Sequence, residues 1–370
     1  MAPTTSGAAN APLPIKDFDH VELYVGNALQ AAYVYEHAFG FTPMAYAGPE
    51  TGVRDRASYV LRQGTITLVL TAPMVPSGPV HDHVARHGDG VRDIAFVVDD
   101  VESTFAKAVE RGGIAREKPS TTRDEGGAFT SAVLGTYGDT VHTLVDRSRY
   151  DGLYAPGYKP LGAQVAPGSG LGRIDHCVGN VEVGKMQHWV DYYTRVFGFR
   201  DFVSFDERDI STEYSALRSK VVANADLKVK MPINEPAPGK RKSQIQEYLD
   251  FYPGPGVQHI AITTDDIVAT IGELRSRGVR FLETPMSYYE ELPKRVPKID
   301  EALADLKRLK ILVDQDEHGY LLQLFTKPIQ DRPTLFFEII QRKGAESFGK
   351  GNFKALFESI EREQAKRGNL

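Results

Sequence analysis

Residues 256–261 read GVQHIA and residues 90–95 read GVRDIA, so the two runs match at every position but two. Where the later run carries His259, the earlier one carries Asp93. Two more blocks repeat in the same order, one at residues 15–21 and 172–178 and the other, Phe-Gly-Phe, at residues 39–41 and 197–199. A period of roughly 160 residues is too long for a solenoid and typical of a duplicated domain. The chain is therefore predicted to hold two copies of one fold, of which only the second keeps a histidine at this position.

Each copy is predicted to contain a strand, a helix and then several strands, which gives an α+β fold. Asp100 and Asp266 precede apolar-periodic segments that end at a glycine, as the start and stop signals of a helix require. The Gly/Pro-rich residues 155–169 are the predicted linker. We therefore expect a disordered tail over residues 1–14, a non-catalytic domain over residues 15–154 and a catalytic domain over residues 170–370.

The end of the second copy departs from the repeat. The strand that contains Glu338 and the segment after it are expected to have no counterpart in the first copy. A glycine-punctuated loop at residues 344–351 precedes Phe353, Leu356, Phe357 and Ile360, which recur at helical spacing. This apolar stripe predicts a C-terminal helix docked on the body, with its polar end, residues 361–370, extended into solvent.

Composition excludes several classes of function. The 370 residues include 44 basic against 49 acidic side chains and no basic stripe, so nucleic acid is not an expected partner. The single cysteine, Cys177, precludes an internal disulfide and favours a reducing compartment. No apolar run reaches the length of a membrane span, and residues 1–14 lack the features of a signal peptide. A cytoplasmic protein is predicted, and His81, His83 and His87 are expected to be solvated.

Three side chains of metal-binding type stand among apolar residues on predicted strands: His176, His259 and Glu338. Because alternate residues of a strand share a face, each lies with its apolar neighbours on the predicted inner face. A buried carboxylate without a partner is costly, and one divalent cation would compensate all three groups. Two imidazoles and one carboxylate are typical of non-haem iron(II) oxygenases.

Alternatives stay open for each of these residues taken singly. A lone histidine on an apolar face is more often a satisfied core residue than a ligand. His20, Asp93 and His142 of the first copy also carry donor atoms, but the mismatch between Asp93 and His259 favours the second copy as the one that binds metal.

A set of polar side chains accompanies the three candidate ligands. Asn234 lies in the run PINEP at residues 232–236, Gln244 starts a predicted short helix, Gln258 precedes His259, and Gln323 alternates with Phe325. Amides orient a polar ligand without adding charge, and aromatic rings sandwich a flat one. Asn234 and Gln244 could equally cap a turn and a helix.

These residues lie in motifs that resemble the 4-hydroxyphenylpyruvate dioxygenase family of the vicinal oxygen chelate superfamily. The similarity covers about residues 15–370 and is strongest from residue 174 onward. It rests on DHCVGN at 175–180, PINEP at 232–236, GVQHI at 256–260, LLQLFTKP at 321–328, DRPT at 331–334 and FGKGNF at 348–353. The resemblance implies a duplicated vicinal oxygen chelate fold, with paired βαβββ modules in each half forming an open barrel, plus a C-terminal gating helix.

The same resemblance implies Fe(II) as the cofactor, with His176, His259 and Glu338 as its ligands. The implied reaction takes 4-hydroxyphenylpyruvate and O₂ to homogentisate and CO₂ by oxidative decarboxylation, ring hydroxylation and side-chain migration, a step of tyrosine catabolism. Residues implied to act in catalysis are Gln258, Gln323, Asn234 and Phe336. Residues implied to bind substrate are Ser219, Asn234, Gln244, Gln258, Gln323, Phe325, Phe348, Asn352 and Phe353. The family's assembly implies a homodimer or homotetramer.

Three rival functions share parts of this pattern. A 4-hydroxymandelate synthase would use the same substrate and iron but oxidise the benzylic carbon, and the PINEP run and Phe353 favour the dioxygenase over it. A metal-free binding protein of the superfamily would lack ligands in both copies. An extradiol dioxygenase would share the triad but would not explain the C-terminal gate.

Overall fold

The protein is described by a computed structural model, which covers residues 11–162, 165–206, 212 and 214–369. The strands of the first half are β1 Ile15–Tyr24, β2 Thr42–Ala47, β3 Arg56–Gln63, β4 Ile66–Pro73, β5 Gly90–Val98, β6 Ile114–Asp124, β7 Gly127–Gly135, β8 Val141–Tyr150 and β9 Lys159–Pro160. Those of the second half are β10 Leu171–Asn180, β11 Arg200–Phe205, β12 Ala216–Ala223, β13 Lys230–Ala237, β14 Gly256–Thr264, β15 Leu312–Asp316, β16 Gly319–Phe325 and β17 Phe336–Lys343.

The α-helices lie between these strands and after the last one. They are α1 Ala28–Phe39, α2 Pro79–His87, α3 Val101–Glu110, α4 Met186–Phe197, α5 Gln244–Phe251, α6 Ile267–Ser276, α7 Met286–Arg295, α8 Leu303–Leu309 and α9 Phe353–Lys366. Short 3-10 turns occupy Pro49–Thr51 and Lys350–Asn352. Within the described part of the chain, no helix is both long enough and apolar enough to cross a membrane.

The two sheets have the same strand order. The first is β6-β7-β8-β5-β1-β4-β3-β2-β9 and the second is β11-β12-β13-β10-β14-β17-β16-β15. When the first order is read from its other end and the short β9 is left out, each of its strands corresponds to the strand at the same place in the second order. β1 pairs with β4 in parallel and with β5 antiparallel, just as β10 pairs with β13 and β14. The predicted duplicated α+β fold is confirmed.

β17, which carries Glu338, has a counterpart in β8, so the prediction that it has none is wrong. β8 pairs in parallel with β5 as β17 pairs with β14. The two strands differ in sequence, and the correspondence becomes visible only through their pairing. The halves diverge after this strand, where the first continues into β9 and the second into α9.

The repeated Phe-Gly-Phe blocks end the first helix of each half. Gly40 and Gly198 follow α1 and α4 with φ angles of 77° and 70°. This left-handed conformation costs a glycine little because it has no Cβ. Asp100 and Asp266 cap α3 and α6 by accepting a hydrogen bond from a backbone N–H in the first turn. Gly112 and Gly278 follow these two helices with φ angles of 86° and 93°, so the predicted start and stop signals are confirmed.

One hydrophobic core joins the halves. The ring centroids of Phe39 and Phe337 lie 5.4 Å apart, and those of Phe96 and Phe197 lie 6.2 Å apart. All four rings are buried. Because each pair takes one ring from each half, the two sheets are held against one another by apolar packing.

The predicted domain boundaries fall partly outside the described residues. Residues 1–10 of the predicted tail are not described, whereas Leu13 is buried and its N–H donates to the carbonyl oxygen of Phe197 at 2.9 Å. In the predicted linker, β9 pairs with β2 and residues 163–164 are not described. The division at residues 155–169 stays a prediction.

α2 buries two histidines that the sequence placed in solvent. His83 is 5% exposed and His87 is 2% exposed, whereas the side chain of His81 is 39% exposed. The prediction was wrong because helical spacing puts His83 and His87 on the face that packs against β1 and β4. Burial lowers the pKa of His83 to about 3, so its ring is neutral.

The last helix docks through its apolar stripe as predicted but turns part of its polar end inward. Glu361 and Gln364 are buried. The hydroxyls of Thr212 and Ser215 each donate to Glu361 Oε1 at 2.6 Å. Gln364 Nε2 donates to the carbonyl oxygen of Lys242 at 3.0 Å. The expected extension into solvent is wrong for these residues because neighbouring elements satisfy their polar groups.

Candidate active site

Three neighbouring strands of the second sheet bring the candidate metal ligands together. His176 lies on β10, His259 on β14 and Glu338 on β17. The Nε2 atoms of both histidines lie 3.3 Å from Glu338 Oε2. All three donor atoms lie within 4.8 Å of one another, and all three residues are buried. The geometry therefore fits two nitrogens and one oxygen around a single divalent ion.

The pKa values of these groups follow from the same contacts. Burial raises the pKa of Glu338, but the hydrogen bonds and charges of the two histidines outweigh burial and lower it to about 2. At His176, burial lowers the pKa, but Asp175 and Glu338 outweigh it and the pKa is raised. At His259 burial dominates and the pKa is lowered. The carboxylate is thus ionised and ready to ligate a cation.

A buried aspartate orients the first histidine. His176 Nδ1 lies 2.7 Å from Asp175 Oδ2, and Asp175 also accepts from Arg342 at 2.8 and 3.0 Å and from Lys230 at 3.1 Å. Burial raises the pKa of Asp175, but Arg342, His176 and Lys230 outweigh it and hold the pKa well below its usual range. With a hydrogen fixed on Nδ1, the Nε2 lone pair of His176 faces the metal position. Sequence reasoning missed this contact, although Asp175 directly precedes His176.

A neutral amide holds the second histidine in a similar way. Gln258 Oε1 lies 3.0 Å from His259 Nδ1. The Phe336 ring stacks on the His259 ring, with centroids 4.9 Å apart and planes at 19°. These two contacts fix the rotation of the imidazole around its bond to the backbone.

The candidate ligands lie in the wall of a cavity. Most of the residues assigned by resemblance line the same cavity: Ser219, Asn234, Gln244, Gln258, Phe325, Phe336, Phe348 and Phe353. Ser219 and Asn234 are direct cross-strand partners on β12 and β13, so their side chains share a face. Gln244 does not cap its helix, because the Ser243 hydroxyl accepts from the N–H of Gln246 and performs that task.

Two residues of the predicted set do not line the cavity. Gln323 is buried on β16, where its Oε1 has no hydrogen-bond partner among the described residues. Asn352 is also buried and faces α7, where its Oδ1 accepts from the Tyr288 hydroxyl at 2.6 Å and from Arg295 at 3.3 Å. The contacts of Asn352 tie the segment before α9 to the body of the protein.

Sequence reasoning missed part of the apolar wall. Leu217 and Val221 line the cavity on either side of Ser219, two positions away in each direction, so strand alternation could have identified them. Phe205 lines it from β11, with its ring edge-on to Phe353 at 4.9 Å. No pattern around Phe205 indicated this contact, which depends on the docking of α9.

α9 closes the cavity. Leu356, Phe357 and Ile360 line it together with Phe353. The other end of the helix is fixed to α5, because Arg367 donates to Glu247 at 2.6 and 3.0 Å. The site is therefore an apolar chamber with three candidate metal ligands on its floor, a few neutral polar groups and a helical cover.

Comparison with known proteins agrees with this geometry. The family model of the Glyoxalase/Bleomycin resistance protein/Dioxygenase superfamily matches residues 17–141 and 173–324. The chain is similar to a 4-hydroxyphenylpyruvate dioxygenase from Yarrowia lipolytica, at 48% identity over all of this chain and 97% of the relative. A relative with the same name from Dictyostelium discoideum is 50% identical over 96% of this chain and all of the relative. Among solved structures, a mutant of 4-hydroxymandelate synthase from Streptomyces coelicolor has a TM-score of 0.86 and 37% identity over 95% of this chain and 100% of that one.

Proposed function

The chain belongs to the 4-hydroxyphenylpyruvate dioxygenase family, and from that premise we propose that it converts 4-hydroxyphenylpyruvate and O₂ to homogentisate and CO₂. The reaction combines oxidative decarboxylation, ring hydroxylation and side-chain migration. The observation that carries the proposal is the convergence of His176, His259 and Glu338 on the floor of an aromatic cavity.

We propose Fe(II) as the ion held by these three residues. When bound, Fe(II) would supply the redox chemistry that O₂ requires and open positions for the 2-oxo acid of the substrate. The donor set supports this choice because two imidazoles and one carboxylate leave further coordination positions open. The substrate's own 2-oxo acid makes a separate 2-oxoglutarate unnecessary.

The polar wall of the cavity would orient the phenol ring. Ser219, Asn234 and Gln244 offer hydroxyl and amide groups that can bond a phenolic hydroxyl without adding charge. Phe325, Phe336 and Phe353 offer ring surfaces for a flat substrate. Holding the ring in one orientation decides which carbon meets the oxidant, which is the main contribution of the protein.

The cover of the cavity would exclude water. Leu356, Phe357 and Ile360 present only apolar atoms to the interior. Exclusion of water protects a reactive oxidant from side reactions while the ring is hydroxylated. α9 is fixed at both of its ends, so the cover is held in position over the substrate.

Product identification tests the proposal. Metal-free protein is reconstituted anaerobically with Fe(II), mixed with 4-hydroxyphenylpyruvate and exposed to O₂. Homogentisate is the expected product. The alternative function, a 4-hydroxymandelate synthase on the same substrate, is raised by the structural neighbour of that name. Accumulation of 4-hydroxymandelate in place of homogentisate would contradict the assignment.

The assembly and location are further proposals. We infer a homodimer or homotetramer from the family resemblance, and light scattering of the purified protein tests it. We infer a cytoplasmic location because the one cysteine, Cys177, is buried and free. Fractionation of cells that express the untagged protein tests the second inference, and recovery outside the cytoplasm would contradict it.

A further inference from the structure

α2 brings two imidazoles to a carboxylate at a place outside the cavity described above. His83 and His87 are four positions apart on the helix and so lie on one face. Asp139 lies in the turn between β7 and β8. One donor atom from each of these three residues lies within 4.8 Å of the others.

The His83 ring has no polar partner within the described residues. The residue is 5% exposed, and neither ring nitrogen makes a hydrogen bond there. Its neighbours are the rings of Tyr24, with centroids 5.2 Å apart, and His87, with centroids 4.7 Å apart. Buried polar groups normally find a partner, so an imidazole with two unpaired nitrogens calls for a ligand.

The His87 ring is oriented as a metal-bound imidazole is. Its Nδ1 is in hydrogen-bonding contact with the carbonyl oxygen of Tyr252, which requires a hydrogen on Nδ1. The Nε2 atom then faces Asp139 Oδ2 at 2.9 Å. A lone pair and a carboxylate oxygen approach this closely only when a proton lies between them or when both bind the same metal ion. A backbone carbonyl behind the other ring nitrogen is a common outer contact of metal-bound histidine.

We propose that His83, His87 and Asp139 form a second metal site, for Zn(II) or a similar divalent transition-metal ion. Two imidazoles and one carboxylate are suitable donors for such ions. A surface cavity beside them, which His83 and Asp139 line, leaves room for water as a further ligand.

Two arginine side chains near this site are expected to weaken its binding of a metal ion. Arg86 and Arg92 line the same cavity, and Arg86 Nη1 lies 3.5 Å from Asp139 Oδ2. Their charge repels a divalent ion, so we expect weaker binding than at a closed structural zinc site. A bound ion would join α2 and the β7–β8 turn and, through His87, would hold both against Tyr252 of the second half.

Zinc uptake by the full-length protein tests the proposal. Equilibrium dialysis of metal-free protein against Zn(II) should give two equivalents for the parent protein and one for Glu338→Ala. The double variant Glu338→Ala/His83→Gln should bind none. His81→Gln is the matched control, because His81 lies on the same helix with its side chain in solvent, and it should keep both equivalents.

A second variant protects the test against misfolding. Asp139→Asn changes a side chain that is 44% exposed and retains an oxygen for His87. It should weaken the second equivalent by at least about tenfold. The proposal is overturned if the parent protein binds a single equivalent, or if the second equivalent survives both His83→Gln and Asp139→Asn. Neither result bears on the dioxygenase function, which is read from the product.

Discussion

The two halves place the same oriented histidine at the same point of their sheets, yet the second half alone brings a second histidine and a glutamate to it among the described residues. His20 and His176 occupy equivalent positions in the pairing of β1 with β5 and of β10 with β14. Each ring Nδ1 contacts the preceding aspartate, Asp19 at 2.6 Å and Asp175 at 2.7 Å. The orienting contact therefore does not depend on a metal.

The arginine behind each aspartate is also shared. Arg147 donates to Asp19 at 2.7 and 2.8 Å, and Arg342 donates to Asp175 at 2.8 and 3.0 Å. Arg147 lies on β8 and Arg342 on the corresponding strand β17, each four positions after the residue at the position of Glu338. The buried ion pair thus belongs to the fold common to both halves.

The halves differ in the other two ligand positions. Asp93 and Thr143 stand where the second half has His259 and Glu338. The backbone N–H of Thr143 donates to Asp93 at 2.9 Å, and its hydroxyl donates to the same carboxylate. Hydrogen bonds from Thr143 thus satisfy the Asp93 carboxylate locally, whereas Glu338 faces two imidazoles.

The interiors differ accordingly. In the first half, Tyr154 is buried against Ala45, Val60 and Val69, and its hydroxyl lies 3.1 Å from His20 Nε2. In the second half, the matching nitrogen of His176 faces Glu338 and the open cavity. One barrel is filled by its own chain, whereas the other holds a cavity that a helix covers.

The largest expected effect comes from the third ligand position. Glu338→Ala removes the only carboxylate of the triad, so bound Fe(II) and homogentisate formation should fall to background. Thr143→Ala, at the equivalent position of the first half, removes one hydroxyl hydrogen bond and should cost about 1 kcal/mol of stability with turnover unchanged. Iron content by metal analysis and product formation distinguish the two. A Glu338→Ala protein that retains iron and turnover would refute the ligand assignment.

The orienting aspartates are expected to matter differently in the two halves. Asp175→Asn weakens the hold on His176 Nδ1 and should lower iron affinity or turnover by roughly 10- to 100-fold. Asp19→Asn changes the same contact beside His20, which lies outside the proposed iron site, so turnover should stay near that of the parent protein. Iron titration and initial rates test both variants. Equal losses in the two would mean that the contact acts through folding alone.

Because Tyr154 fills the interior of the first barrel, replacing it should affect stability rather than activity. Tyr154→Ala leaves a cavity in a packed interior and should lower the free energy of unfolding by about 3–5 kcal/mol. Tyr33→Ala, at a side chain in solvent, serves as the control and should change it little. Denaturant unfolding measures both. If Tyr154→Ala also lost turnover while it was still folded, the first barrel would have a role beyond stability, contrary to this prediction.

The smallest expected effect is a change in how stability depends on pH when Asp19 is replaced. Burial raises the pKa of Asp19, but Arg147 and His20 outweigh it and hold the pKa below its usual range. A carboxyl with a depressed pKa stabilises the fold at neutral pH, and this contribution is lost as the pH falls below the ordinary value of about 3.9. The free energy of unfolding, measured from pH 7 downward, should therefore fall less steeply in Asp19→Asn than in the parent protein. Parallel curves for the two proteins would contradict the role given to Asp19.

Local patterns in the sequence were enough to predict much of the site. Strand alternation identified His176, His259 and Glu338, because residues two apart share a face whatever the tertiary structure. The helices that follow Asp100 and Asp266 were identified from a capping side chain at one end and a glycine at the other. These features depend on residues close together in the chain.

Contacts between distant segments could not be predicted. Asp175 meets Arg342 across 167 positions, and Asn352 turns toward Tyr288 rather than the cavity. The burial of His83 and of Glu361 likewise depends on the elements that pack against them. Such partners cannot be read from periodic patterns in the sequence, because they depend on how the sheet and its helices pack together.

The spread of the three candidate ligands along the chain has a consequence for assembly. β10, β14 and β17 are neighbours in the sheet but are separated in sequence by most of the second half. Until β17 joins the sheet, a folding intermediate offers two imidazoles and no carboxylate. Tight binding of the proposed Fe(II) would thus come late in folding, after distant strands have paired, unlike metal binding by a zinc motif whose ligands are close in sequence. Iron occupancy would therefore report how much of the protein has completed its fold.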